Sequence, residues 1–176
     1  MASASGEPDS RVLLLLRHGK AELPQGQDID RNLTDKGIRQ AQIIGDYLAA
    51  QSAGIDRVLV SPAQRTRTTW ESVLSVIPGF TGEVTVCEDI YDGGPADVAE
   101  LLRQVDDDDR VVLVVGHEPT MSTLAHVLAD EDSDSGALAQ ARIGVSTGTL
   151  CILSGPLAHW ADLTDGSMSL QGMIRP

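Results

Sequence analysis

Short uninterrupted runs of apolar residues alternate along the chain with stretches in which apolar residues recur every three or four positions. The continuous runs lie at Val12–Leu16, Arg57–Val60, Val84–Val86, Val111–Val115 and Thr149–Leu153, with a weaker one at His159–Leu163. Uninterrupted runs rich in valine and leucine are typical of strands that are covered on both faces. The pattern therefore predicts a mostly parallel sheet buried between layers of helices.

Four helices are predicted between these strands. The first follows "NLTDKG", with Thr34 as its N-cap and apolar positions at Ile38, Ala41, Gly45 and Leu48. The second is expected in "SPAQRTRTTWESVLSVI", with Ser61 as N-cap and Pro62 at the first helical position. The stretches "PADVAELLRQV" and "EPTMSTLAHVLA" predict the third and fourth. The fold class expected is a three-layer α/β/α sandwich.

The end of the chain lacks this alternation. The last two strands follow one another without a helical pattern between them, which favours a mixed sheet. The polar run 130–136, "DEDSDSG", is predicted to be a solvated loop.

A chain of 176 residues is expected to form one domain, here residues 11–176, after a flexible tail at residues 1–10. The leader is small, polar and acidic, which is not the pattern of a signal peptide. The five-residue apolar run is far shorter than the roughly 20 residues of a membrane span. Cys87 and Cys151 follow no metal or redox spacing. A cytoplasmic protein with reduced thiols is therefore predicted.

The charge balance limits the partners. The chain has 13 Lys and Arg against 26 Asp and Glu, a net charge of −13. Such a field repels nucleic acids and anionic membranes, so neither is an expected partner. A site for an anionic substrate would need a local concentration of positive charge or of backbone N–H groups.

Three of the predicted strands end in residues that could form such a site. Arg17 and His18 follow the first strand, "SPAQR" with Arg65 follows the second, and "GHEPT" with His117 follows the fourth. Ligands of open α/β sheets bind beyond the carboxyl ends of the strands. Two of these ends also start helices, whose N-termini favour phosphate. The combination predicts phosphoryl transfer, with a histidine as nucleophile and arginines as phosphate ligands.

The stretches "LRHGKAE" (16–22), "SPAQRTRTT" (61–69) and "VGHEPTM" (115–121) resemble the signatures of the histidine phosphatase superfamily, also called phosphoglycerate mutase-like. Larger members of that family carry a cap of inserted helices. Only about 50 residues separate Arg65 from His117 here, which leaves little room for a cap. The chain most resembles the compact SixA-type phosphohistidine phosphatases, which implies an open, shallow site.

The resemblance implies a role for each matching residue. His18 would be the nucleophile, Arg17 and Arg65 would bind the phosphoryl oxygens, and His117 would be a second phosphate-contacting histidine. Arg31 would be a further basic residue near the pocket. The general acid would lie in "VCEDIYDGG", and the candidates are Asp89, which is preferred, Glu88 and Asp92. No metal and no cofactor is expected.

Three functions remain open at this point. The first is a metal-independent phosphatase that forms phospho-His18 and acts on phosphohistidine in a protein. The second is a phosphomonoesterase for a small sugar phosphate or nucleotide, and the third is a non-catalytic phosphate-binding module. The sequence does not set the oligomeric state, and a monomer is compatible with it.

Two neighbours of the motif residues have simpler expected roles. Gly19 is predicted to allow a tight backbone turn behind His18. Glu118 is predicted to act only as a favourable charge at the start of a helix. His126 and His159 are expected to be structural or surface residues.

Overall fold

A computed structural model describes residues 10–176. In this part of the chain there are six strands and six α-helices. The strands are β1 (Ser10–Arg17), β2 (Arg57–Val60), β3 (Glu83–Val86), β4 (Val111–Gly116), β5 (Leu150–Pro156) and β6 (Ser169–Ile174). The helices are α1 (Asp35–Ala49), α2 (Gln64–Leu74), α3 (Glu88–Asp92), α4 (Pro95–Arg103), α5 (Thr120–Leu128) and α6 (Ser135–Ile143). Of the tail predicted at residues 1–10, residues 1–9 lie outside the described residues, and Ser10 already belongs to β1.

The strands form one mixed sheet in the order β3-β2-β4-β1-β5-β6. β3, β2, β4 and β1 are parallel, and β5 runs antiparallel to both β1 and β6. The predicted mostly parallel, mixed sheet is confirmed. β1 and β4 pair through their whole length, from Val12 opposite Val111 to Arg17 opposite Gly116. Because β2 also pairs with β4, the three strands that precede the candidate residues are direct neighbours.

Helices cover both faces of the sheet. Alternate residues of β1 enter separate cores, since Leu14 and Leu16 pack with α1 and α2, whereas Leu13 and Leu15 pack with α4 and α5. Leu13, Leu15 and Leu16 have no exposed surface. This burial on two faces explains why the sequence of β1 is continuously apolar instead of alternating. The predicted three-layer sandwich is confirmed, and residues 75–110 form only β3, α3, α4 and their connections, with no cap.

The start of α2 differs from the prediction. The helix begins at Gln64 with Ala63 as its N-cap, so Ser61 is not the cap and Pro62 is not the first helical residue. The Ser61 N–H still donates to the carbonyl of Val115 on β4, at 3.1 Å. Ser61 therefore continues the sheet bonding of β2, and the helix starts only after the chain has left the sheet. The predicted Thr34 cap is confirmed, because its Oγ1 accepts from the Gly37 N–H at 3.2 Å.

The C-terminal region contains two further corrections. The stretch 159–163 is not a strand, since Trp160–Asp162 forms a 3₁₀ helix and the last strand is β6. The indole of Trp160 is fully buried and donates to the Asp109 carbonyl at 2.6 Å, which anchors this turn. Helix α6 begins inside the run predicted to be a loop, because the Asp134 carboxylate caps it by accepting from the Ala137 N–H at 2.8 Å.

Two findings concern membrane helices and disulfides in the described residues. Within residues 10–176, no helix combines the length and the apolar character that a membrane span requires. Cys87 and Cys151 form no disulfide in this part of the chain, and Cys151 is buried on β5.

Candidate active site

The carboxyl ends of β1, β4 and β2 bring the predicted site residues together. Arg17 is the last residue of β1, and the next residue, His18, donates its backbone N–H to the Gly116 carbonyl at the end of β4, at 3.1 Å. His117 follows β4 directly. The rings of His18 and His117 lie with their centroids 5.4 Å apart. The two histidines that the sequence separates by 99 positions therefore form one pair.

The hydrogen bond of His18 Nδ1 determines the tautomer of its neutral ring. Nδ1 lies 2.7 Å from the carbonyl oxygen of Gly19, which can only accept a hydrogen bond. Nδ1 must therefore carry the proton, and the neutral ring has its free electron pair on Nε2. This is the form that a nucleophilic histidine requires.

Burial keeps this imidazole neutral. Only 8% of His18 is exposed, and desolvation lowers its pKa from 6.5 to about 4, with a further lowering from Arg65, Arg17 and Arg31. The Gly19 carbonyl acts in the opposite direction, because it accepts a hydrogen bond from the ring and raises the pKa. At neutral pH the Nε2 electron pair is thus available to attack phosphorus.

Gly19 is required by a close backbone contact. A Cβ atom at Gly19 would lie 2.5 Å from the carbonyl oxygen of Gly37 on α1. The backbone N–H of Gly19 donates to Thr69 Oγ1 on α2 at 3.1 Å. Gly19 is not among the glycines with positive φ, so the reason for glycine is the approach of α1 and not a left-handed turn. The segment behind His18 is fixed between both helices of one layer.

His117 is oriented by Ser61 from the neighbouring strand end. Its Nε2 lies 2.7 Å from Ser61 Oγ, while its Nδ1 is buried and has no hydrogen-bond partner among residues 10–176. Burial lowers the pKa of His117 to about 3, and the positive charge of Arg65 lowers it further. A buried imidazole nitrogen without a partner costs free energy unless a ligand satisfies it. His117 is thus prepared to hydrogen-bond a phosphoryl oxygen through Nδ1.

Arg17 is held by a loop that Glu118 fixes. Its Nη1 donates to the Val145 carbonyl at 2.8 Å, and the Val145 N–H donates to Glu118 Oε2 at 3.2 Å. The same carboxylate accepts from the Ser122 N–H and hydroxyl at 2.8 and 2.7 Å. Glu118 therefore does more than place a charge at the start of α5. It joins α5 to the segment that orients Arg17, whose Nε is buried and without a partner in the described residues.

Arg65, on the first turn of α2, forms its contacts with a residue that the sequence did not indicate. Its Nη1 donates to the backbone carbonyl of Asp28 at 2.9 Å and its Nη2 to the carboxylate at 3.0 Å. Arg31 donates to the other carboxylate oxygen at 3.1 Å, and the Tyr91 hydroxyl donates to Oδ2 at 2.8 Å. Asp28 thus joins two candidate phosphate ligands to α3. The hydrogen bond from Tyr91, followed by those from both arginines, lowers the pKa of Asp28 to about 2.

Tyr91 is a second residue of the site that the sequence did not indicate. Its ring meets that of His117 edge to face, with centroids 5.7 Å apart. Only its position among the candidate acids, between Asp89 and Asp92, could have drawn attention to it. The hydrogen bond to Asp28 raises the pKa of the Tyr91 hydroxyl.

The three candidate acids lie on the same short helix as Tyr91. Glu88, Asp89 and Asp92 are all exposed, and none of their carboxylates forms a hydrogen bond with another described residue of the site. Residues three apart on a helix share a face, whereas residues two apart do not. Glu88 therefore lies on the face of Tyr91, and Asp89 lies nearly opposite. The assignment of the general acid to Asp89 stays a prediction, and the helix geometry favours Glu88.

The arrangement as a whole is suited to an anion. Arg17, Arg31 and Arg65 gather around two neutral imidazoles in a chain of strongly negative net charge. Among residues 10–176, no group of three or more His, Cys, Asp or Glu side chains is placed to hold a metal ion. An apolar cavity of about 410 Å³ lies near the amino ends of β1 and β4, against Val12, Val111 and Phe80, and shares no residue with this site.

Comparison with known proteins places this fold and site in a protein class. Residues 13–90 match the model of the histidine phosphatase superfamily, branch 1. An uncharacterised protein of Mycobacterium tuberculosis is 37% identical over 163 residues, which cover 92% of this chain and 99% of that protein. Phosphohistidine phosphatase SixA of Escherichia coli is 30% identical over 114 residues, or 64% of this chain and 70% of SixA.

A solved structure extends the comparison to the fold. A proposed phosphohistidine phosphatase SixA from Nakamurella multipartitia superposes with a TM-score of 0.83 at 32% identity, covering 95% of this chain and 96% of that one. The chain belongs to the histidine phosphatase superfamily. Within that superfamily it is a phosphatase of the compact SixA type, as the three sequence motifs implied.

Proposed function

We propose that the protein is a metal-independent phosphatase that removes the phosphoryl group from phosphohistidine in a protein, through a phosphohistidine intermediate on His18. The observation that carries the proposal is the hydrogen bond of 2.7 Å between His18 Nδ1 and the Gly19 carbonyl, which leaves Nε2 as the unprotonated ring nitrogen. The position of His18 directly after β1, beside Arg17, supports its role as the nucleophile.

In the first step, Nε2 of His18 attacks phosphorus and the bond from phosphorus to the leaving imidazole nitrogen of the substrate breaks. Arg17 and Arg65 balance the charge on the transferring oxygens, and His117 donates to one of them. In the second step, water attacks the phosphoryl group on His18, which releases inorganic phosphate and restores the neutral ring. Positioning and charge are sufficient for both steps, so no metal is needed.

The leaving group explains why an acid matters less for this substrate. A substrate imidazole that is protonated departs easily, whereas an alkoxide from a phosphomonoester needs a proton donor. The exposed carboxylates on α3, with Glu88 on the side of Tyr91, would supply that proton if the enzyme acts on phosphomonoesters. We therefore place phosphohistidine first and small phosphomonoesters second among the substrates.

The absence of a cap supports a protein as the substrate. The chain between α2 and β4 is used entirely for one edge strand and two helices of the sandwich. The site residues lie at the rim of the sheet with no helical insertion above them, and a phosphorylated side chain on another protein could reach them. The relatives that carry the name phosphohistidine phosphatase agree with this choice. A cytoplasmic location stays a prediction from the sequence.

A panel of substrates tests the proposal. Phosphohistidine protein, free phosphohistidine and common phosphomonoesters would be compared by kcat/KM, each with and without EDTA. We expect phosphohistidine protein to rank first by about tenfold or more, with no loss in EDTA. His18→Ala should abolish the activity, and His126→Ala, a histidine on α5 outside the site, should keep it. Activity that EDTA removes, or that survives His18→Ala, would overturn the mechanism, and preference for a phosphomonoester would overturn the substrate.

A further inference from the structure

Asp28 places a negative charge inside a site that must bind an anion. The residue belongs to a 3₁₀ helix, Asp28–Asp30, in the loop between β1 and α1. Its carboxylate is half-exposed, whereas the Arg65 side chain that it contacts is only 8% exposed. A carboxylate next to phosphate ligands opposes the binding of phosphate unless it has a function of its own.

The contacts show that the position of Asp28 is specified. Four hydrogen bonds converge on its two carboxylate oxygens and its carbonyl, from Arg65 twice, from Arg31 and from Tyr91, at 2.8 to 3.1 Å. They come from three separate parts of the chain. Each terminal nitrogen of Arg65 uses one N–H on Asp28, so the second N–H of each and the Nε–H remain for a phosphoryl group.

The charge of Asp28 also reaches the histidine pair. Its negative charge raises the pKa of His117, against the larger lowering by burial and by Arg65. A group that changes the proton affinity of His117 is close enough to change the affinity of the same pocket for phosphate. With a pKa lowered to about 2, the Asp28 carboxylate is ionised at neutral pH.

We propose that Asp28 is a counter-charge that holds Arg65 in place and weakens the binding of free phosphate, so that the product leaves the site. The transferring phosphoryl group is stabilised by in-line positioning between His18 Nε2 and the leaving atom of the substrate, while the binding of free phosphate depends mainly on net positive charge. Asp28 lowers the net positive charge of the site, which weakens the binding of free phosphate. It leaves the in-line positioning of the transferring group unchanged. The inference rests on the proposed function only in taking Arg17 and Arg65 as phosphate ligands.

Direct binding of inorganic phosphate to the full chain tests this proposal without any turnover. Asp28→Asn removes the charge but keeps an oxygen that can accept from Arg65 and Tyr91. Removing one negative charge that contacts Arg65 should lower the dissociation constant of phosphate about tenfold. Titration calorimetry would measure it at fixed ionic strength, because exposed charges are screened by salt.

Asp30→Asn is the matched control. Asp30 lies on the same 3₁₀ helix and is exposed, and its side chain makes no hydrogen bond or ion pair in the described residues. It changes the net charge equally, and we expect a change of less than about threefold in phosphate affinity because solvent screens it.

Two outcomes decide the matter. Tighter phosphate binding in Asp28→Asn, with little change in Asp30→Asn, supports the counter-charge. Unchanged or weaker binding in a folded Asp28→Asn overturns it. If that variant does not fold, Asp28→Ser removes the same charge with a smaller side chain and must change the affinity in the same direction. Since no substrate is turned over, failure to hydrolyse phosphohistidine protein would overturn the proposed function and leave this result intact.

Discussion

The low pKa of His18 predicts that its ring stays neutral well below pH 6.5, and the burial of the ring sets the size of this effect. Burial, with the charges of Arg65 and Arg17, lowers this pKa from 6.5 to about 4. At pH 5.5 an ordinary histidine is about nine-tenths protonated, whereas a group of pKa 4 is only about 3% protonated. His18 should therefore stay a competent nucleophile through the range in which an exposed histidine loses its electron pair.

Histidine-selective NMR titration of the ligand-free protein measures this directly. The ring signals of His18 would be assigned by their loss in His18→Ala, and followed from pH 7.5 down to the onset of unfolding. We expect no titration step for His18 above about pH 5. A step within about one unit of 6.5 would refute the reasoning, because it would show that the ring is not desolvated in the folded state.

The lowered pKa of His18 also makes the free energy of unfolding depend on pH. The unfolded chain binds a proton at His18 near pH 6.5 and the folded chain only near pH 4, so the unfolded state binds more protons between these values. The free energy of unfolding should thus fall as the pH drops through this window. Urea unfolding at pH 7 and 4.5 should show a loss about 2–3 kcal/mol larger in the wild type than in His18→Ala. Equal losses would contradict the shift.

Predictions for substitutions at four other positions follow from the contacts. Arg17→Ala or Arg65→Ala should lower kcat/KM by about 100- to 1,000-fold, and lysine at either position should restore little because it lacks the two-pronged fork; steady-state kinetics with a folded variant decides this. Gly19→Ala should destabilise the protein by about 1–3 kcal/mol, since the new Cβ would lie 2.5 Å from the Gly37 carbonyl oxygen; an unchanged urea midpoint would contradict the contact. Thr34→Ala should cost about 1 kcal/mol through loss of the α1 cap, measured in the same way.

Much of the fold could be predicted because continuous apolar runs report burial on both faces. β1 and β4 were recognisable for this reason, and their predicted bounds agree with the structure to within one or two residues. Helix α6 was missed because only Ala137 and Ala141 are buried on it, which is too few apolar positions to produce a helical period. The error at Ser61 arose because a serine before proline has the local pattern of a helix cap, while its N–H is used by the neighbouring strand.

The motif residues of the site were predictable because each lies at the end of one of three neighbouring strands or shortly after it. The supporting residues were not, since their roles depend on tertiary contacts. Asp28 and Tyr91 are 63 positions apart, and nothing in their local sequence marks either one. For Glu118 the sequence predicted only a favourable charge at the start of a helix. Its contact with the Val145 N–H was missed because it joins two segments that are distant in the sequence.

The central claim is that His18 carries the phosphoryl group. The most direct measurement is rapid quenching of the enzyme with a phosphohistidine protein labelled with ³²P, followed by mapping of the labelled peptide. Label should appear on the peptide that contains His18, be stable in alkali and be lost in acid, and be absent from His18→Ala but present in His126→Ala. Hydrolysis of the substrate with no label on His18 at any quench time, or with label on another residue, would contradict the account.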